Sequence, residues 1–475
     1  MSQITIAWIA LPFLVGFSSY LLPKLARHFV LGMALISLGY GLERIIDSSS
    51  LTLQLLDQFG VSLVVDPLSG YFILTNALVT VAIVLSCWQT GKTAFFYAQA
   101  IILHGSVNAV FICADFMSVY VALEVIGVAA FLLIAYPRTD RSIWVALRYL
   151  FISNTAMLFY LIGAVLVYQA NHSFAFAGLH NAPMEAIALI FLGLLTKGGI
   201  FISGLWLPLT HSESEAPVSA FLSGVVVKAG VFPLLRCALW IEAVAPIIQI
   251  LGVGTALLGV AYAVFEKDTK RMLAFHTVSQ LGFVLAAPAV GGFYALTHGL
   301  VKSALFLIAG NLPSRNIKTL KQTSIATPLW ITLAIASFSI SGFPLLSGFG
   351  AKVLTMKNLL PWQVIGMNIA ALGTAISFAK FIFLPFGGNG TVKPGFWAAI
   401  TVLLGGLVLA NGVYYEAYTI ANMVKPLLTI GIGWLAYFLI FQKLTLKLPQ
   451  APEKFEHLIG GMSLMLILLF GMVLA

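Results

Sequence analysis

Apolar runs of membrane-spanning length follow one another along almost the whole chain, each closed by a short polar break. A spanning helix needs about 20 predominantly apolar residues, and on that measure the pattern predicts about sixteen spans. They lie near 4–22, 28–46, 68–88, 94–113, 115–136, 145–168, 184–206, 216–238, 243–264, 271–289, 291–310, 326–356, 363–386, 395–413, 424–441 and 457–474. Several boundaries are soft, and a core of fourteen helices fits the same pattern. The first run lacks a charged leader and a cleavage site, so it is expected to stay as a helix. Leu51–Val65 (LTLQLLDQFGVSLVV) instead alternates roughly on either side of Phe59–Gly60, which predicts a small hairpin on the outer face. Asp66 then stands as N-cap and Pro67 as first residue of the third span.

Two spans are interrupted. The seventh carries Gly198–Gly199 and Ser203–Gly204, and the twelfth carries Ser341–Gly342, Pro344 and Ser347–Gly348 before Lys352. Such breaks are tolerated at membrane depth only where neighbouring helices or water satisfy the freed backbone groups.

Composition agrees with this reading. The 475 residues are 60% hydrophobic and 9% charged, with mean hydropathy +1.01, which excludes a soluble domain of this size. The net charge of +9 is an orientation signal rather than a nucleic-acid footprint. With the N-terminus outside and the spans alternating, fifteen Lys and Arg fall on the inner side. Four remain outside: Arg44, Arg236, Lys357 and Lys425. Cys87, Cys113 and Cys237 are scattered singly, so disulfides, structural zinc and iron–sulfur clusters are not expected.

The informative polar residues are those inside the apolar runs. Glu124 lies in the fifth span, Lys197 in the seventh and Lys228 in the eighth. His276 lies in the tenth, His298 and Lys302 in the eleventh at i and i+4, Lys352 in the twelfth and Lys380 in the thirteenth. A charge near the bilayer centre costs on the order of 3 kcal/mol or more. Each such residue therefore implies a partner or a hydrated cavity. The bland alternatives are a snorkelling or protonated Glu124 and hydrogen-bonded core histidines. Glu124 and Lys197 make the obvious couple, and the remaining amines and imidazoles extend a polar line across the midplane. An amine balanced between low dielectric and a nearby carboxylate gains or loses a proton as its partner moves. The line offers almost no second carboxylate for sodium, so H⁺ is the expected ion. On the loop read at Thr210–Ala216, Glu213 and Glu215 are expected to favour the next helix's N-terminus.

The two halves also match each other. Lys228 is followed by Pro233 and Lys380 by Pro385, and the helix before each is the interrupted, lysine-bearing one. This predicts two five-helix repeats, 94–238 and 243–386, inverted because their helix number is odd. Residues 1–66 would be N-terminal helices and hairpin, 67–93 a separate third helix, and 395–475 peripheral packing.

The stretches WLPLTHSESEAPVSAFLSGVVVKAGVFPLLR, DTKRMLAFHTVSQLGFVL, HGLVKSALFLIAG and SGFPLLSGFGAK resemble the antiporter-like subunits shared by complex I and the Mrp-type cation/proton antiporters. The resemblance covers roughly Asp66 to Leu409. It implies a proton-translocating, all-α unit of fourteen core helices in two inverted repeats, docked beside other membrane subunits. By similarity, Glu124 is the helix-five glutamate, Lys197 its partner, Lys228 the helix-eight lysine, His298 the central histidine and Lys352 the terminal lysine. Lysine rather than glutamate at 352 resembles the D-type chain of the Mrp antiporters more than subunit 4 of complex I, and the short C-terminal part argues against the subunit-5 type. Ile202, Gly204 and Leu209 depart from the family's Pro-x-His and aspartate around Trp-Leu-Pro. Tyr294 stands where some members carry a second histidine, and His276 falls in a usually serine-rich stretch.

The resulting expectation is a proton-translocating subunit of a Mrp-type antiporter, with an NDH-1 membrane-arm subunit as the alternative. It would sit in a bacterial inner or thylakoid-type membrane, beside other membrane subunits that handle any Na⁺. No cofactor, metal, nucleic acid or catalytic chemistry is expected in the chain itself. A self-sufficient organic-anion transporter is a remote reading, since Arg148 is the only arginine deep in a helix. A cofactor-bearing redox enzyme lacks any GxGxxG, cysteine cluster or axial histidine pair.

Overall fold

The computed structural model describes residues 2–56, 60–444, 446, 448–449 and 454–474. Its helices are α1 (Ser2–Leu21), α2 (Ala26–Asp47), α3 (Pro67–Cys87), α4 (Ala94–Val110), α5 (Phe116–Ile134), α6 (Asp140–Asn171), α7 (Met184–Gly198), α8 (Leu207–Glu213), α9 (Ala216–Phe221) and α10 (Val227–Trp240). They continue as α11 (Ala245–Phe265), α12 (Thr269–Ala286), α13 (Gly291–Ala309), α14 (Ile317–Leu320), α15 (Thr327–Ser341), α16 (Ser347–Lys357), α17 (Gln363–Ile382), α18 (Pro394–Leu409), α19 (Ile420–Ala436) and α20 (Phe455–Leu474). Among the described residues, thirteen helical stretches are long and apolar enough to cross a bilayer, and Ala94–Val110 and Thr327–Ser341 are shorter apolar helices. α12 supplies the sixteenth run. Its polar residues, from Lys270 and Arg271 to His276 and Gln280, lower its hydropathy, and the helix survives by being packed on all sides. The chain is a polytopic, mostly helical membrane protein.

The expected hairpin forms antiparallel between β1 (Leu51–Leu56) and β2 (Gly60–Val65), with Leu53 opposite Leu63; Phe59 lies outside the described residues. Asp66 caps α3 by accepting from Ser69 N, with Pro67 at the first helical position.

The interrupted spans break where expected. α7 ends at Gly199 and α15 at Gly342, both left-handed at φ +71° and +86°, a conformation that a side chain disfavours. The two lysines do not occupy equivalent places around these breaks: Lys197 lies just before Gly199, whereas Lys352 lies on α16, beyond Gly342.

One expectation fails. Thr210–Glu213 is not loop but the end of α8, because the seventh span resumes after its break and runs on. Glu215 does stand at the N-cap position of α9, but its side chain makes no capping hydrogen bond. Glu213 pairs with Arg141 at 3.1 Å and with Arg315 at 3.4 Å, Arg315 pairs with Asp268 at 2.9 Å, and Glu215 pairs with Lys92 at 2.7 Å. Burial pushes the Glu213 carboxyl up, but the Arg141 and Arg315 guanidinium groups outweigh it and hold it below the usual range. These residues meet on one face, the one to which the charge count assigns the inside.

Candidate functional site

The site begins where α5 faces the end of α7. Asp115 caps α5 through Ser118 N, and Glu124 follows two turns on, well inside the span. Lys197 sits in the last turn of α7, where the glycine break leaves carbonyls and space. Its Nζ donates to Leu123 O at 3.0 Å and lies 3.9 Å from Glu124 Oε1. The pair is thus at the edge of ion-pair range without a direct hydrogen bond, and Glu124 Oε1 has no hydrogen-bond partner among the described residues. The lysine side chain is 5% exposed and the glutamate 30%. Glu124 opens into a cavity of about 730 Å³ between α5, α6 and α20, lined also by Trp144, Arg148, Asn154, Thr155 and Phe455.

A second group lies between α10 and α13. A π-turn over Leu222–Val226 widens the eighth span just before Lys228. Wide turns of this kind loosen the helical hydrogen-bond ladder and recur at functional sites. Lys228 Nζ donates to Ser223 O at 3.2 Å and lies 3.3 Å from His298 Nδ1. When Lys228 is an ammonium, which has no lone pair, His298 accepts at Nδ1 and carries its proton on Nε2. That Nε2 has no hydrogen-bond partner among the described residues. One turn on, Lys302 donates to Leu273 O on α12 and lies 5.3 Å from the Phe306 ring centre.

From His298 the polar line reaches the broken twelfth span. A cavity of about 10 Å³ is lined by Gln280, Tyr294, Thr297, His298, Ser339 and Gly348, at the lower limit of room for one water. Tyr294 OH donates to Gln280 Oε1 at 2.6 Å. Lys352 lies beyond, 5.5 Å from the Phe283 ring centre, and its Nζ has no hydrogen-bond partner among the described residues. His276 is fully buried, with both ring nitrogens unpartnered among the described residues and Phe378 against its ring.

Lys380 is placed differently. Its Nζ donates to Ala263 O, Val264 O and Glu266 O at 3.1, 2.6 and 2.9 Å. It therefore satisfies the carbonyls left open at the C-terminus of α11, where a cation also suits the helix dipole. Its amine is a cap, tied down on three sides.

The structure adds residues that the sequence pattern passed over. His211 on α8 is buried between Trp206 and Phe306 with neither ring nitrogen partnered among the described residues. Lys270 donates to Ser214 O beneath the ion pairs of that face. His211 is hidden because Thr210–Ala216 reads as a loop, and Lys270 because it stands in the charged stretch EKDTKR before the tenth span. A separate polar knot joins α2, α3 and α4. His104 Nε2 lies 2.9 Å from Ser37 Oγ and 3.1 Å from Asn108 Nδ2, and its Nδ1 lies 3.1 Å from Thr80 Oγ1. Among the described residues no cluster of His, Cys, Asp and Glu has the makings of a metal site.

Residues 113–377 match the protein family described as NADH:quinone oxidoreductase/Mrp antiporter, transmembrane. The chain belongs to this family. The N subunit of the NADH-quinone oxidoreductase of Desulforudis audaxviator is 31% identical over 414 residues, covering 79% of this chain and 81% of that one. The D-type chain of the Na(+)/H(+) antiporter of Alkalihalophilus pseudofirmus is 28% identical over 435 residues, 82% of this chain and 88% of that one. A chain of the membrane-bound sulfane sulfur reductase, an archaeal respiratory membrane complex, superposes with TM-score 0.77 at 20% identity. It covers 92% of this chain and 100% of its own length. The shared fold is thus that of the family, and the chain is one of its membrane subunits with a buried network of charged side chains.

Proposed function

We propose that this chain passes protons across the membrane as one subunit of a multisubunit cation/proton antiporter of the Mrp D kind. The observation that carries the reading is the series of buried amines and imidazoles with incomplete hydrogen bonding. Glu124 and Lys197 stand 3.9 Å apart, Lys228 stands 3.3 Å from His298, and the Lys352 amine has no hydrogen-bond partner among the described residues. Groups held this way change protonation with small movements, whereas fully paired ones are fixed. In this reading the Glu124–Lys197 pair gates the file, and protons move by way of Lys228, His298, Lys302 and Lys352. His276 lies beside the file, and Lys380 supports it by holding the end of α11. The N-terminus is outside, and α4–α10 and α11–α17 are the two inverted repeats. Any Na⁺ would pass through neighbouring subunits.

A second reading, a proton-pumping subunit of an NADH-quinone oxidoreductase, is favoured by the 31% identity to the N subunit of such a complex. Purification from the native membrane separates the two. Small membrane subunits alone are expected for the antiporter, and hydrophilic redox subunits for the second reading. In sealed vesicles, the assembled complex should dissipate an imposed proton gradient and the lone chain should not. A lone chain that carries an organic anion by itself would overturn both.

A further inference from the structure

We infer that the outer end of the twelfth span holds an anion-binding site, formed by Lys352, Lys357 and Lys425. A cavity of about 170 Å³ lies between α16, α17 and the first turns of α19, and these three lysines line it with Asn368, Asn422 and Thr429. No carboxylate lines it.

Three independent observations point to a ligand of negative charge. The first is the fate of the four basic residues on the lysine-poor side. Arg44 pairs with Glu43 and Asp47, and Arg236 with Asp66. Lys357 and Lys425 have no carboxylate within ion-pair range among the described residues, yet both border the same cavity. Lys357 donates to the neutral Tyr414 OH at 3.2 Å. The second is Lys352, 7% exposed on the same cavity wall, with no hydrogen-bond partner for its amine among the described residues. The third is the helix end: Asn422 and Lys425 sit in the opening turns of α19, a 17-residue helix whose N-terminus adds positive potential.

Ile365 and Ile369 on α17 and Leu428 on α19, next in sequence to or within a turn of the lining residues Asn368 and Thr429, are exposed apolar side chains. An anionic phospholipid can therefore enter sideways, its phosphate on Lys357 and Lys425 and its chains on these side chains. A free inorganic anion entering from the outer medium would use the same amines. The site does not depend on proton passage, since it needs only the amines and the cavity.

The test uses the full chain with its accompanying subunits. Native mass spectrometry is run after release from phosphatidylcholine bilayers containing a minority of phosphatidylglycerol. In parallel, thermal unfolding is followed in phosphatidylcholine alone with added inorganic phosphate. Preferential retention of phosphatidylglycerol by the unaltered protein supports the lipid source, and stabilisation by inorganic phosphate supports the free anion. Lys357→Gln with Lys425→Gln should lower the bound fraction about tenfold, and the paired Lys→Arg variants should keep it. If the unaltered protein shows neither response, or if the glutamine pair keeps whichever response the unaltered protein shows, the site is not there.

Discussion

Replacing Lys197 or Glu124 by alanine is expected to abolish proton passage, lowering flux by about 100-fold or more, while the complex still assembles. The asymmetry of the pair is the reason. Lys197 is buried at the end of a broken helix and keeps one carbonyl bond to Leu123. Glu124 is part-exposed to a cavity, and its inward-facing oxygen is unpartnered among the described residues. Lys197 makes a single hydrogen bond and Glu124 is part-exposed, so neither loss is expected to unfold the bundle. Proton flux in sealed vesicles, normalised to assembled complex on native gels, is the measurement. Lys197→Arg is the informative companion, because it keeps the charge but not the readiness to release a proton. It should be as inactive as alanine.

The second large effect is on stability. Asp66→Ala should cost about 3–5 kcal/mol, because it strands the buried guanidinium of Arg236. Arg236 is 2% exposed, donates through both terminal nitrogens to the Asp66 carboxylate and through one to Ser69 Oγ at 2.8 Å, and packs 4.9 Å from Phe232. The same carboxylate caps α3, so α3 and α10 are fastened by one group. Arg236→Met with Asp66→Asn should recover much of the loss, since the desolvation of both charges disappears with them. Burial raises the Asp66 carboxyl, but the Arg236 hydrogen bond and charge hold it below the ordinary value of 3.8. Its contribution is therefore present above pH 3.8 and lost as pH falls through the lowered value. Thermal unfolding in detergent across that window, compared between unaltered chain and Asp66→Ala, checks both points. The two curves should converge at the acid end.

Much of this was legible in the sequence because membranes demand so much of it. Among the described residues each of the sixteen apolar runs is helical, thirteen of them long and apolar enough to span, and the glycines that weaken the seventh and twelfth runs form the breaks at Gly199 and Gly342. The Glu124–Lys197 proximity could be read because each residue is an isolated charge in oil and can be kept only at some cost. What escaped was decided by tertiary placement. Lys380 looks like Lys228 in sequence, each followed by proline five residues later, yet it caps α11 while Lys228 meets a histidine. The difference depends on which helix lies opposite, and no local pattern encodes that. His211 was invisible because a span that restarts after a break looks, in sequence, like a loop. Gln280 gave no signal, and Tyr294 only as a departure from the family pattern, because amide and phenol groups inside a polar run do not stand out as isolated charges do.

Proton passage along this route requires that these amines be joined by water. A density map of the assembled complex that resolves ordered solvent tests it most directly. It should show a water in the narrow space beside Gln280, His298, Ser339 and Gly348, and further waters linking it to Lys228 and Lys352. Side chains closed off from one another by dry, close-packed apolar groups would contradict it.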